Sequence, residues 1–293
     1  TRLASQSLAV HRVARQVRRE RLERHPRLLK AGQHRRHGAK RRKRAPDQEP
    51  PARFLVHTLV EQADLALRTS ENARARDAAD AARALAQRFA ATGAAGWCGE
   101  AAAAWDRLGE VCRRANATPK QTQDAFARAV EFRRMELSES EDQTSRRALA
   151  AALGRLGEAA FTAGANSKAR EALEESAALQ AALFEAAPDD PRAGHALAAT
   201  LDHVGLAAFA MSDMPAARAA WEHELRLFDH LHGDDESADV MRLRAAVEAH
   251  LAGARGPDCE RYRDQALARL DALARAGVLS ERELTVRRKL RGR

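Results

Sequence analysis

Three histidines, His223, His230 and His232, are the first residues in this chain to weigh for chemistry. His223 and His230 stand seven apart and share a helical face, but no Asp, Glu or Cys set around them completes a metal pattern. They read as structural or surface histidines, and no metal is expected. The three cysteines, Cys98, Cys112 and Cys259, have neither an even count nor ligand spacing, which suits free thiols in a reducing compartment. Cys98, beside Trp97 in a Gly-rich connection, is expected to react if exposed, whereas Cys112 is expected to be inert in a core. Lys40, Arg41, Arg42, Lys43 and Arg44 form a basic block that attracts phosphates in a sequence-blind, salt-dependent way. The block lacks the interleaved aromatics that stack on single-stranded bases, so it is a weak nucleic-acid candidate. No phosphate loop, nucleophile elbow, metalloprotease motif or kinase set is present. No enzyme is expected, and no cofactor.

The basic charge is confined to one end. Residues 1–50 hold 16 Lys and Arg against 4 Asp and Glu, while the remaining 243 residues hold 34 against 37. The body is therefore slightly acidic, and the high isoelectric point belongs to the N-terminal segment. Within that segment Val10, Val13 and Val17 share a face among Arg12, Arg15, Arg18 and Arg19, giving a short basic amphipathic pattern. After His25-Pro26 the residues are polar, punctuated and self-repelling, so residues 1–50 are expected to be a disordered arm. No stretch approaches the roughly 18 apolar residues of a membrane span. Residues 1–30 show no apolar core with a cleavage site, so no signal peptide is expected and a cytoplasmic location is.

The elements behind these residues repeat. Leu149, Leu153, Leu156, Gly157, Ala160, Phe161, Ala169 and Arg170 recur 48 residues later as Leu197, Leu201, Val204, Gly205, Ala208, Phe209, Ala217 and Arg218. Trp105, Leu108, Gly109 and Cys112 fall one interval upstream. Helix-forming residues dominate, and the spacing predicts helical pairs over 54–69 and 73–91, 99–115 and 119–137, 145–163 and 167–187, and 192–211 and 214–232. Thr118-Pro119 with Gln121 and Asp190-Pro191 supply cap and first-turn proline signals. A further hairpin is expected over 238–276, with Ser280 and Glu283 boxing the start of a short basic helix in 277–293.

Leu153, Leu156-Gly157, Ala160, Ala169 and Leu173 have a spacing that resembles the tetratricopeptide repeat, in a long bacterial form of about 48 residues. The resemblance covers residues 54–276 within a domain spanning 51–276, in units 54–93, 99–138, 145–188, 192–233 and a divergent 238–276. It implies an all-α, right-handed α-solenoid of antiparallel helix hairpins, a tetratricopeptide-like superhelix. In such repeats the first helix of each pair lines a concave groove. The resemblance thus nominates His57, Asp64, Arg68, Asp106, Glu110, Arg113, Arg114, Glu158, Thr162 and Asp202 as partner-binding positions. A clamp for a doubly carboxylate tail needs Lys and Asn where this chain has acids, which disfavours that ligand. The acidic run instead suits a basic or amphipathic helical segment of a protein or peptide partner. The expected function is a non-catalytic interaction scaffold. The alternatives are a regulatory segment of a larger bacterial signalling protein, such as a serine/threonine kinase or signalling ATPase, and a nucleic-acid-associated protein working through the arm.

Overall fold

Alanine and glycine set how closely the helices of this chain approach, and the architecture follows from that. A computed structural model describes residues 49–92, 96–115, 117–254 and 256–292. The basic block Lys40–Arg44 and the Val10 segment lie outside the described residues. Eleven helices and no strand occur among the described residues, and the chain divides after Ala115 into two compact units. The division falls inside the hairpin expected at 99–138.

The first unit contains α1 (Glu49–Arg68), α2 (Asn72–Ala90) and α3 (Trp97–Arg114), each packed on the other two. α1 begins five residues before the expected Phe54. Pro50 and Pro51 sit in its first turn, where a backbone N–H has no partner to lose. Ala63, Ala75, Ala79, Ala82 and Ala86 are wholly buried, so the backbones meet across methyl groups. Trp97 opens α3 and stacks on Phe89, with ring centroids 4.3 Å apart and planes at 14°, while the Arg53 guanidinium lies 5.1 Å from the indole. Cys98 is not in an exposed connection: it sits in the first turn of α3 and is 2% exposed. The neighbouring Trp97 must be buried to stack on Phe89, and the helix start carries the thiol inward with it.

The second unit contains α4 (Pro119–Glu139), α5 (Gln143–Thr162), α6 (Asn166–Ala186), α7 (Pro191–Ala210), α8 (Met214–His232), α9 (Ala238–Gly253), α10 (Cys259–Arg275) and α11 (Glu281–Arg291). Each packs on the next, and α5 also touches α7. The starts are chemically fixed. Thr118 with Gln121 and Ser280 with Glu283 form reciprocal capping boxes, and the carboxylates of Asp142, Asp190 and Asp213 accept first-turn backbone N–H groups.

The 48-residue interval reappears as geometry. A Cβ placed on Gly157 would overlap the Leu173 side chain, and one on Gly205 would overlap the Trp221 indole. In the first unit the equivalent pair is Ala63 and Ala79, so a larger first partner goes with a smaller second one. The turns match as well: the N–H of Glu71, Ala165 and Asp213 donates to the carbonyl of Ala66, Ala160 and Ala208 at 2.8, 2.9 and 2.9 Å. The residue before each donor, Ser70, Gly164 or Ser212, has a left-handed φ of 60°, 74° or 62°.

Arginines couple neighbouring hairpins in the same register. Arg170 reaches from α6 to the Asp213 cap of α8 at 2.6 Å. Arg218, 48 residues on, reaches from α8 to the carbonyls of Ala254 and Pro257, at 3.1 and 2.7 Å, just before α10.

Replacing Gly205 with Ala drives a methyl into a rigid indole and is expected to cost about 1–3 kcal/mol, beyond the roughly 1 kcal/mol that helix propensity returns. Gly157→Ala meets the Cγ and Cδ2 of Leu173, an aliphatic side chain with more rotamer freedom than a buried indole, so its cost is smaller. Urea unfolding of both variants checks the order; equal stability of Gly205→Ala and the native chain would contradict it.

Candidate partner-binding surface

A half-exposed strip on α7 gathers charge and apolar surface in one place. Asp202, Leu206 and Phe209 follow at helical spacing, and Phe209 is 41% exposed. On α5, which touches α7, Glu158 and Thr162 are exposed, and the Thr162 hydroxyl donates to the Glu158 carbonyl at 2.9 Å. His250 on α9 extends the strip. The repeat explains its presence, because Asp106, Gly154, Asp202 and His250 are spaced by 48 and occupy one register position.

Asp202 is the most heavily engaged of these. The Trp221 Nε1–H donates to its Oδ1 at 3.2 Å, and His250 Nδ1 lies 3.0 Å from the same oxygen. The histidine approaches off-axis, within ion-pairing distance but outside hydrogen-bond geometry. Burial raises the Asp202 pKa, yet His250, His203 and the indole N–H outweigh it and hold the carboxylate below its ordinary range.

Beneath the strip lies Glu224, only 4% exposed, with Oε2 unpartnered. It occupies the register of Ser176, whose buried hydroxyl donates to the Ala150 carbonyl at 2.8 Å. Burial first, and then the charge of Asp202, push the Glu224 carboxyl up to about 9, so it is protonated at neutral pH. Two further buried charges pin α9. Arg244 donates to the Gly233 carbonyl at 2.5 Å, and Glu248 accepts from Arg269 at 3.0 and 3.1 Å. Sequence reading missed Glu224, His250, Arg244, Glu248 and Arg269. The available signals were a charge three residues from Trp221 on an apolar stripe and a histidine 48 beyond Asp202.

The candidate residues of the first unit form their own set. His57 Nε2 lies 3.2 Å from Glu100, and Asp64 pairs with Arg107, so both bind α1 to α3. Glu110 accepts from Arg113 at 2.8 and 2.9 Å and from Arg114 at 2.7 Å. Burial pushes Glu110 up, but these two guanidinium groups outweigh it and leave its pKa lowered. Arg68 is exposed at the end of α1, and Asp106 is half-buried. The nominated residues therefore divide between the units: His57 to Arg114 in the first, and Glu158, Thr162 and Asp202 in the second.

Among the described residues no group of three His, Cys, Asp or Glu is placed to hold a metal, and no helix is long and apolar enough to cross a membrane. The surface offers charge and apolar contact.

No protein-family model matches the chain, and no curated protein does. Solved structures do. A crystal structure of BtubC (BKLC) from P. vanneervenii aligns with 100% of this chain and 94% of its own at 16% identity, with a TM-score of 0.53. A Podosopora anserina kinesin light chain-type protein with nearly identical TPR-like repeats aligns with 76% of this chain and 97% of its own at 19% identity, with a TM-score of 0.55. The apo form of RapI aligns with 82% and 64% at 11% identity, with a TM-score of 0.51. At these identities the likeness shows a shared fold.

A carboxyl raised from 4.5 to about 9 makes the folded chain bind a proton that the unfolded chain has lost. Glu224 thus lowers stability progressively as pH rises from 4.5 towards 9 and costs nothing below 4.5. Glu224→Gln is expected to raise stability at pH 7 by up to about 3 kcal/mol and to flatten the pH dependence above 5. Urea midpoints between pH 5 and 8.5 check this; parallel curves for the two proteins would refute a protonated Glu224.

Proposed function

We propose, from the premise that this is a tetratricopeptide-type helical repeat protein, that it is a non-catalytic scaffold binding a basic or amphipathic helical segment of a partner. The observation that carries the reading is the strip on α5 and α7, where Glu158 and Asp202 stand beside the part-exposed Leu206 and Phe209. Acidic groups steer a basic helix on approach, and apolar contact retains it once docked. Asp202 keeps its charge, because its pKa is lowered. In the first unit Glu110 does the same under its arginine pair, and Arg68 offers a cation at the end of α1. A soluble setting in the cytoplasm and a bacterial signalling context belong to this proposal too.

A labelled helical peptide alternating Lys and Leu at i, i+3, i+4 spacing probes the face directly, with binding to the full chain read by fluorescence anisotropy. Glu158→Lys is expected to weaken binding about tenfold at low salt and less at high salt. Unchanged affinity, in a variant that retains the native helical circular dichroism, would sink the proposal.

A further inference from the structure

A notch of about 460 Å³ is lined by α6, α8 and Leu197 at the start of α7, and none of the nominated groove residues lines it. Its floor is apolar, with Phe184, Leu197 and Leu227, and its α8 rim carries His223, Arg226 and His230. These three follow at spacings of three and four, and all are exposed. The His230 ring sits edge-on to Phe184, centroids 5.7 Å apart, which leaves the imidazole at the mouth of the notch. Glu185 stands across from them at the end of α6.

The repeat shows why the notch is open. One interval earlier the junction between α4 and α6 is closed by Arg134 donating to Glu175 at 2.5 Å. Forty-eight residues on, those two positions are Ala182 and His223. The substitution removes the bridging pair and leaves the apolar floor uncovered. Arg226 is exposed on that rim and has no ion pair among the described residues. Burial and the neighbouring Arg226 hold the His223 pKa below its usual value. Arg226 is the one guanidinium on the rim, which is too little for a polyanion but suits a single carboxylate.

We infer that this notch is a second peptide-binding site, for a partner segment that places one carboxylate beside aliphatic or aromatic side chains. The carboxylate lies against the Arg226 fork, its neighbours fill the floor over Phe184 and Leu227, and Glu185 rejects a second acid at the far edge. The occupant is opposite in charge to the one proposed for the α5–α7 face.

The probe is a labelled helical peptide with a single Glu among Leu and Gln, compared with the Lys and Leu peptide on the full chain. The Glu peptide is expected to bind, to lose about tenfold with Arg226→Glu, and to be unaffected by Glu158→Lys. Restoring the bridge with Ala182→Arg and His223→Glu is expected to abolish its binding by closing the notch, in a variant with native circular dichroism. Binding that survives both Arg226→Glu and the restored bridge would overturn the site. Equal competition by a single-stranded oligonucleotide of the same charge would overturn the peptide assignment, because the notch would then be reading charge alone. Loss of Lys-peptide binding in Glu158→Lys bears only on the other face, so the two proposals fail separately.

Discussion

The indole of Trp221 occupies the space that a side chain on Gly205 would need, and most of the second unit follows from that approach. Only a residue without a Cβ lets α8 come this close to α7 at the crossing. Once there, the indole is wholly shielded from solvent, and its N–H has one acceptor within reach, the Asp202 carboxylate. That bond fixes Asp202 where His250 of α9 meets it. The contact between two helices thus sets the orientation of a third. A single close approach accounts for the position of the charged strip as well as for the packing beneath it.

Ion pairs divide into those that bind elements together and those that decorate a surface. Arg113 and Arg114 on Glu110 stay within one helix and are largely exposed, so each contributes little to stability. Arg244 and Glu248 are different: both are almost fully buried and engaged by groups from neighbouring segments, although the Arg244 Nε has no partner. Removing one partner there strands a buried charge, and the resulting penalty makes such pairs specify an arrangement more than stabilise it. Glu224 shows the other solution, in which the carboxyl keeps its proton and the burial cost becomes a pH dependence.

The repeat and its hairpins could be read from residue types because packing constraints act at fixed spacing. Gly157 and Gly205 mark helix crossings, Thr118-Pro119 and Asp190-Pro191 mark helix starts, and the structure places helix boundaries at those caps. The early start of α1 was less legible, since Pro50-Pro51 signals a helix start as readily as a linker. Cys98 was misjudged because the glycines around it suggested a loop, while the stacking of Trp97 on Phe89 is a contact between segments that spacing does not reveal. The same limit applies to the nominated groove. Register places His57 and Asp64 at positions free of packing, yet Glu100 and Arg107 on a distant stretch of chain engage them. Register identifies which face a residue occupies, and only the neighbouring helix decides whether that residue is spoken for.

The arginine reach from one hairpin to the next has a consequence for how the second unit comes apart. Arg170 and Arg218 each span a single junction, to Asp213 and to the Ala254–Pro257 turn, and neither reaches beyond it. Coupling restricted to nearest neighbours makes unfolding a propagating boundary rather than one simultaneous event. Amide exchange along α5 to α10 would then fall off in steps at hairpin junctions. A guanidinium at each junction acts as a ratchet tooth that must be released before the front advances.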